Sequence, residues 1–151
     1  KNVLNPVDPQ DAATKNYVNV NSTFTAKTSN FTTASASFVT IPELYGTITV
    51  RADRRVKLEA SIVLSNDTGD ASCRLTFTDT AANLAGGGNA LGTHIATAAN
   101  RPQQNVAISF ITSALSAGSY TYNVAVLATA GTCFVGGDAG RNSQWGAYEL
   151  P

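Results

Sequence analysis

The sequence predicts an all-β protein built as a jelly-roll β-sandwich of about eight short strands. Residues 55–64 alternate strictly between apolar and polar side chains, which is the pattern of a strand with one buried face. Residues 72–78 repeat this alternation after the turn-forming segment SNDTGD. Turn signals recur between such runs along the chain, and this regular spacing is typical of sandwiches and jelly rolls.

The predicted strands are taken in chain order. The two clearest strands direct a set of apolar side chains inward: Val56, Leu58, Ala60, Ile62 and Leu64, then Cys73, Leu75 and Phe77. The other predicted strands are runs rich in β-branched and aromatic residues: 37–41, 45–51, 105–112, 119–129, 132–136 and 144–150. Residues 85–104, which are rich in Gly, Ala, Asn and Thr, are predicted to form one long loop.

Two strands carry adjacent apolar residues. Residues 125–127 read Ala-Val-Leu, and Phe110 is followed directly by Ile111. A sandwich strand with one face in water should alternate instead. We therefore expect the outer faces of these strands to be buried against sister subunits.

Composition excludes several classes of partner. Ten basic and ten acidic residues give a formal net charge of zero, which argues against electrostatic capture of nucleic acid. No run of eighteen apolar residues is present, so no membrane insertion is expected. Charged residues make up 13 % of the chain, well below the ordinary level of about 25 %. A surface this poor in charge is tolerable when much of it is buried in an oligomer.

The two cysteines leave two interpretations open. Cys73 and Cys133 lie in apolar alternating runs, so they are predicted to be small buried side chains, with a disulfide between them as the alternative. A structural zinc site needs four ligands, and the chain adds only His94 to the two thiols. No metal and no cofactor are therefore predicted.

The N-terminal residues predict a short helix at about 9–19. Asp8 is suited to cap it, Pro9 to occupy its first position and Asp11 to lie in its first turn. A helix of roughly ten residues is marginal alone and needs a surface to pack against. A neighbouring chain is the natural partner, and docking on the chain's own domain is the alternative.

The same segment, KNVLNPVDPQDAATKNYV, resembles a block that recurs in bacteriophage tail fibres and phage-like bacterial surface fibres. The matching residues are Val3, Asn5, Pro6, Asp8, Pro9, Asp11, Ala12, Ala13, Thr14, Lys15, Asn16, Tyr17 and Val18. In that family the block lies in the shaft, where three identical chains wind together. The resemblance implies that this chain is the end of a homotrimeric fibre.

Four aromatic residues recur at an interval of seven: Tyr17, Phe24, Phe31 and Phe38. In chains that wrap a three-fold axis, this spacing places all four on the axis; chance spacing is the alternative. The chain is thus expected to divide into a helical or extended shaft stub, residues 1–36, and a jelly-roll head, residues 37–151.

The last third of the chain is similar to the C-terminal part of jelly-roll heads on phage fibres, which in turn resemble the trimeric heads of the C1q and tumour-necrosis-factor type. The residues that carry this likeness are Leu115, Ala117, Gly118, Tyr120, Tyr122, Gly131, Thr132, Tyr148, Glu149 and Leu150. Together the two resemblances imply a shaft followed by a trimeric head.

The ligand site is predicted in loops at the tip, opposite the shaft, because recognition residues usually lie on loops held by a rigid scaffold. The candidate ligand-binding residues are Asp138, Arg141, Asn142, Trp145, Asn89, His94 and Arg101. An aromatic face with amide, carboxylate and guanidinium groups suits a glycan. The alternative is that Trp145 belongs to the core and Arg141 is solvated.

No catalytic constellation is visible. A glycosidase needs two carboxylates about 5–10 Å apart, and the three glutamates show no pairing in the sequence. The predicted function is adhesion by an extracellular fibre tip on a phage tail or a bacterial surface. A non-binding structural cap and a polysaccharide-degrading enzyme are the alternatives.

Overall fold

The computed structural model describes residues 21–68, 71–79, 90–96, 103–137 and 140–151, with Leu91 the only side chain described in 90–96. These residues form ten strands: β1 Ser22–Ala26, β2 Phe31–Thr33, β3 Val39–Val50, β4 Arg55–Asn66, β5 Cys73–Thr78, β6 Ala90–Ala96, β7 Gln104–Ile111, β8 Gly118–Ala128, β9 Cys133–Val135 and β10 Gln144–Leu150. No helix occurs among the residues described. The all-β class is confirmed.

The strands form two antiparallel sheets. A six-stranded sheet has the order β1-β10-β4-β9-β2, with β7 paired to β4, and a four-stranded sheet has the order β3-β8-β5-β6. The inner faces of the two sheets meet in one apolar core. The predicted jelly-roll β-sandwich is confirmed, with more strands than the eight expected.

Strand β4 shows how the alternation builds the core. The five residues predicted to face inward are all buried, and Val56, Leu58, Ile62 and Leu64 are 0 % exposed. The three inward residues predicted on β5 are also fully buried. Each such Leu, Ile or Phe contributes roughly 1.5–3 kcal/mol through burial.

Two short strands extend the sandwich into the segment predicted as shaft. Strand β1 pairs with β10 and strand β2 pairs with β9. The predicted boundary at residue 36 therefore does not match the edge of the sandwich. The threonine-rich sequence of residues 22–33 suits such edge strands, because β-branched side chains favour extended backbone. The helix predicted at 9–19 lies outside the described residues.

Two predicted strands around Pro42 are one strand, β3. Its pairing with β8 shifts register between Thr40 and Tyr45, and Glu43 has a φ of 72°. Proline donates no backbone hydrogen bond, so it is tolerated at an irregularity in an edge strand such as β3.

The predicted loop 85–104 also differs from the structure, because strand β6 lies within it and pairs with β5.

The cysteines form a disulfide that links the two sheets. Cys73 begins β5 and Cys133 begins β9, and their Cα atoms lie 5.8 Å apart. Both side chains are 0 % exposed. The interpretation as two unlinked apolar side chains is therefore wrong, although their burial was predicted correctly.

The adjacent apolar residues have two different explanations. Ala125 on β8 is 0 % exposed within a single chain, so no sister subunit is needed to bury it and that prediction is wrong. Phe110 packs against the core, whereas Ile111 points outward from the six-stranded sheet and is 49 % exposed. Of these two residues on β7, Ile111 alone has an exposed side chain that a partner could bury.

The register also defines the two ends of the sandwich. Ser22, where the described chain begins its first strand, lies opposite Tyr148, and Arg55 lies opposite Leu150. We call this end the base. Strand β4 runs from the base to Asn66, where the disulfide and the segments 27–30, 129–132, 136–137 and 140–143 lie, and we call this the far end.

Candidate functional site

The outer face of the six-stranded sheet carries the main exposed apolar surface among the described residues. Phe24 is 58 % exposed and Ile111 is 49 % exposed. Large apolar side chains exposed together on one sheet commonly mark an interaction surface. We call the outward side of strands β1, β10, β4 and β7 the β1–β10–β4–β7 face.

The strand register arranges the side chains of the β1–β10–β4–β7 face in rows. One row runs Ser22, Tyr148, Lys57 and Ile111; the next runs Phe24, Gly146, Glu59 and Ser109; the third runs Ala26, Gln144, Ser61 and Ala107. Outward residues of neighbouring strands lie close enough to act as one surface. The face therefore has aromatic and aliphatic groups at its margins and polar groups at its centre.

A groove of about 390 Å³ crosses this face. Its lining includes Phe24, Tyr148, Glu59 and Gln144. Gly146 forms the floor, because a Cβ there would lie 2.9 Å from the Tyr148 hydroxyl and 3.2 Å from its Cζ. The Tyr148 ring thus lies flat against the backbone of β10, and glycine permits this close approach.

The described charges at the centre of the β1–β10–β4–β7 face neutralise each other. Lys57 and Glu59 lie two residues apart on β4 and form an ion pair, with side chains 39 % and 44 % exposed. A pair this exposed adds little stability, roughly 0–1 kcal/mol. Its importance lies in leaving the centre of the face without unbalanced charge.

Two of the predicted ligand residues, Arg141 and Asn142, lie toward the far end. The guanidinium carbon of Arg141 lies 5.8 Å from the centre of the Phe134 ring, and Asn142 is exposed beside it. A Cβ on Gly136 would lie only 2.8 Å from the Cβ of Arg141, so this arginine is packed closely against the chain. Both residues lie just before β10 begins, toward the far end.

Three other predicted ligand residues cannot be compared with the structure. Asp138, Asn89 and Arg101 lie outside the described residues. His94 lies within strand β6 opposite Leu75, not in a loop. Among the described residues of the set, only Arg141 and Asn142 lie together on the surface.

Trp145 belongs to the core. It is 1 % exposed and pairs in register with Thr25 and Ala60, whose side chains also face inward. Its ring packs so closely against β3 that a Cβ on Gly46 would lie 2.9 Å from Trp145 Cζ3. The assignment of Trp145 to a ligand surface is corrected, because its position in β10 directs the ring into the sandwich.

The aromatic residues spaced by seven do not share one surface. Phe24 is exposed on β1, whereas Phe31 on β2 packs against the core. Phe38 is half-buried just before β3, and Tyr17 lies outside the described residues. An odd interval alternates faces in extended chain, so the predicted axis does not hold for all four residues.

A polar corner at the far end joins the chain after β1 to strand β3. The Glu43 carboxylate accepts hydrogen bonds from the Thr28 backbone N–H at 2.6 Å, the Thr28 hydroxyl at 2.8 Å and the Ser29 hydroxyl at 2.6 Å. Lys27 is 1 % exposed in its side chain, and its Nζ lies 3.6 Å from Glu43 and donates to the Pro42 carbonyl at 3.1 Å. We call this cluster the Glu43 corner.

The hydrogen bonds of the Glu43 corner stabilise the ionised carboxylate. The Ser29 hydroxyl, followed by the Thr28 N–H and hydroxyl, lowers the pKa of Glu43 from 4.5 to about 2. The Glu43 corner was not predicted, because charged residues such as Lys27 and Glu43 are usually solvated. Only the fold brings these two side chains together.

We expect acid to weaken the fold through Glu43. Its pKa is lower in the folded chain, so its contribution to stability is present above pH 4.5 and is lost as the pH falls toward about 2. The melting temperature, followed by circular dichroism across this range, should fall more steeply for the native chain than for Glu43→Gln. Equal slopes for the two chains would contradict the assignment.

A second hydrogen-bonded carboxylate lies at the base, and this one is buried. Glu149 has a side chain only 1 % exposed, and Arg51 donates to it from its backbone N–H at 2.9 Å and from its side-chain NH2 group at 3.0 Å. The Arg51 guanidinium lowers the pKa of Glu149. This pair joins the end of β10 to the end of β3.

Neither a metal centre nor a membrane-spanning helix is found where the structure is described. No cluster of three or more His, Cys, Asp or Glu side chains is placed to hold a metal ion in those ranges. None of the described segments is a helix with the length and apolarity to cross a membrane.

Comparison with models of protein families and with curated proteins gives no match. Among solved structures, the chain is similar to the carbohydrate-binding module CBM6cm-2 of Cellvibrio mixtus lichenase 5A, with 17 % identity and a TM-score of 0.42 over 84 % of this chain and 90 % of that one. It is similar to Eiger TNF from S. frugiperda, with 15 % identity and a TM-score of 0.42 over 87 % and 94 % of the two chains. A Bacillus endospore appendage pilus protein gives 14 % identity and a TM-score of 0.42 over 87 % and 91 %. These likenesses carry no argument about what this chain binds.

Proposed function

We propose that this chain is the distal head of a homotrimeric extracellular fibre, on a phage tail or a bacterial surface, and that it adheres to another cell by binding a surface glycan. The observation that carries the proposal is Phe24, which is 58 % exposed two residues after β1 begins. The N-terminal block that resembles a trimeric shaft lies directly before this strand. The proposal assigns binding to the chain and no catalysis.

The β1–β10–β4–β7 face is where sister heads would meet. A shaft of three chains delivers three copies of β1 to the same place, so the faces that contain β1 are held near one another. Phe24 and Ile111 supply exposed apolar area, and the ring of Tyr148 lies between their strands. Burial of such area drives association at roughly 25 cal/mol for each Å² removed from water.

The far end would then present Arg141 and Asn142 to the target. It points away from the shaft, so three copies face the same surface. Each head is expected to bind its glycan weakly, and three linked heads raise the overall avidity without new contacts.

The trimer is tested by measuring solution mass with light scattering. The chain has a mass of 15.7 kDa, so three copies are expected to give about 47 kDa. Phe24→Asp combined with Ile111→Asp should reduce the mass to that of one chain, because burying charges of the same sign, which cannot pair with each other, costs several kcal/mol. Tyr45→Lys is the matched control, since Tyr45 is 56 % exposed but lies on the other sheet. A native chain that is monomeric would overturn the trimer.

Adhesion is tested at the far end with the trimer intact. Arg141→Gln combined with Asn142→Ala should reduce binding to target cells by about tenfold or more, since three weakened sites lose avidity together. Arg74→Gln, an exposed arginine on the outer face of β5, is the control. Unchanged cell binding by an intact trimer of the double variant would favour the structural cap. Release of reducing sugar from cell polysaccharide would favour the enzyme.

A further inference from the structure

Strand β1 connects the N-terminal segment to the sandwich through five residue pairs with β10, from Ser22 opposite Tyr148 to Ala26 opposite Gln144. The two strands are antiparallel, so the start of β1 lies at the base and the start of β10 lies at the far end. A pull on the N-terminus against a hold at the far end therefore runs along both strands. Hydrogen bonds between antiparallel strands are perpendicular to them, so this pull loads them together in shear.

The pull on β1 next reaches the Glu43 corner. The backbone N–H of Lys27 donates to the Ser143 carbonyl at 2.8 Å, and its buried side chain donates to Pro42 on β3. Glu43 holds Thr28 and Ser29 through three hydrogen bonds of 2.6–2.8 Å. Bonds to a charged carboxylate are shorter and stronger than those between neutral groups.

The backbone of Glu43 is unusual in a way that fits this contact. Its φ of 72° lies in the left-handed region, which non-glycine residues seldom adopt. Such a conformation persists only where the surroundings impose it. Here the conformation coincides with the register shift in β3 and with a carboxylate that contacts two successive residues after β1.

Beyond the corner, the chain is fixed to the disulfide. The Gly137 N–H donates to the Asn30 side chain at 3.0 Å, and a Cβ on Gly137 would lie 2.2 Å from the Ser29 carbonyl oxygen. Strand β2 then pairs with β9, and β9 begins at Cys133, which is bonded to Cys73 in the other sheet. A continuous set of contacts thus leads from β1 to both sheets.

We propose that the Glu43 corner is a mechanical clamp that prevents β1 from sliding out of the sandwich when the fibre is under tension. The direction of that tension rests on the proposed function, in which the shaft pulls at the N-terminus and the target holds the far end. The clamp itself is a property of one chain and is testable without a target cell.

The experiment pulls single molecules of the full chain in two directions. The N-terminus carries one handle, and the second handle is attached either at residue 142, through Asn142→Cys, or at Pro151. The first geometry shears β1 against β10. The second separates the strands from the base one pair at a time, because Ser22 and Leu150 lie at the same end. We expect the rupture force to be about twofold higher in shear, since forced unfolding follows the barrier along the pulling direction.

The variant Glu43→Gly removes the carboxylate and suits the left-handed backbone. It should lower the rupture force in the shear geometry toward the value measured with the handle at Pro151. The rupture force with the handle at Pro151 should not change, because strand separation from the base begins before the Glu43 corner is loaded. Thr28→Ala with Ser29→Ala should act in the same direction, and Asp79→Asn, at an exposed carboxylate just after β5, is the control. An equal loss of force in both geometries would mean that the corner is ordinary structural support, and the clamp would be overturned. The rupture forces test the clamp, whereas solution mass and cell binding test the proposed function. Failure of the clamp and failure of the fibre proposal are therefore distinguishable.

Discussion

Removing the disulfide with Cys73→Ala and Cys133→Ala is expected to lower the free energy of unfolding by about 4 kcal/mol. The two residues are separated by 60 positions, and closing a loop of this length removes much of the freedom of the unfolded chain. The melting temperature should fall by about 10 °C, which calorimetry measures directly. The effect is large because the loop that the bond closes is long.

Reductant provides the control for this prediction. The native chain in dithiothreitol should approach the stability of the double variant, whereas the double variant should not respond to reductant. A loss of stability below about 1 kcal/mol would contradict the prediction, because the double variant removes both the cross-link and the buried sulfurs.

Trp145→Ala is expected to cost about 3–5 kcal/mol, since it leaves a large cavity in a closely packed interior. The ring is 1 % exposed and contacts the backbone of the opposite sheet at Gly46. Denaturant unfolding measures the loss. Trp145→Phe should cost less, because it fills part of the space and removes an indole N–H that is buried without a hydrogen-bond partner.

The matched control for Trp145 is Tyr45→Ala. Tyr45 is 56 % exposed, so its removal should change stability by roughly 0.5 kcal/mol or less. If Trp145→Ala were equally mild, the result would contradict the prediction that the indole stabilises the core.

The sequence predicted the parts of the fold that depend on local pattern. Alternation along β4 and β5 identified their buried faces, because a period of two directs side chains to one side of a sheet. The pattern failed at β6, whose sequence ALGTHIA shows only weak alternation, and whose strand state depends on pairing with β5. Secondary structure of that kind is decided by contacts distant in sequence.

The site was harder to predict, for the same reason. The exposure of Phe24 and the burial of Trp145 both follow from the pairing of β1 with β10, which joins residues more than a hundred positions apart. Lys27 and Glu149 are charged, yet their side chains are about 1 % exposed. Charged residues are seldom buried unless paired, and neither partner could be identified from spacing alone.

The bond between Cys73 and Cys133 turns 61 residues, 73–133, into a covalent ring that contains β5, β6, β7 and β8 entirely. A protease that cuts one peptide bond anywhere in that ring opens it without dividing the molecule. The segments most open to such cleavage in a sandwich are the connections between strands. A nicked head would therefore keep its far end attached to its base.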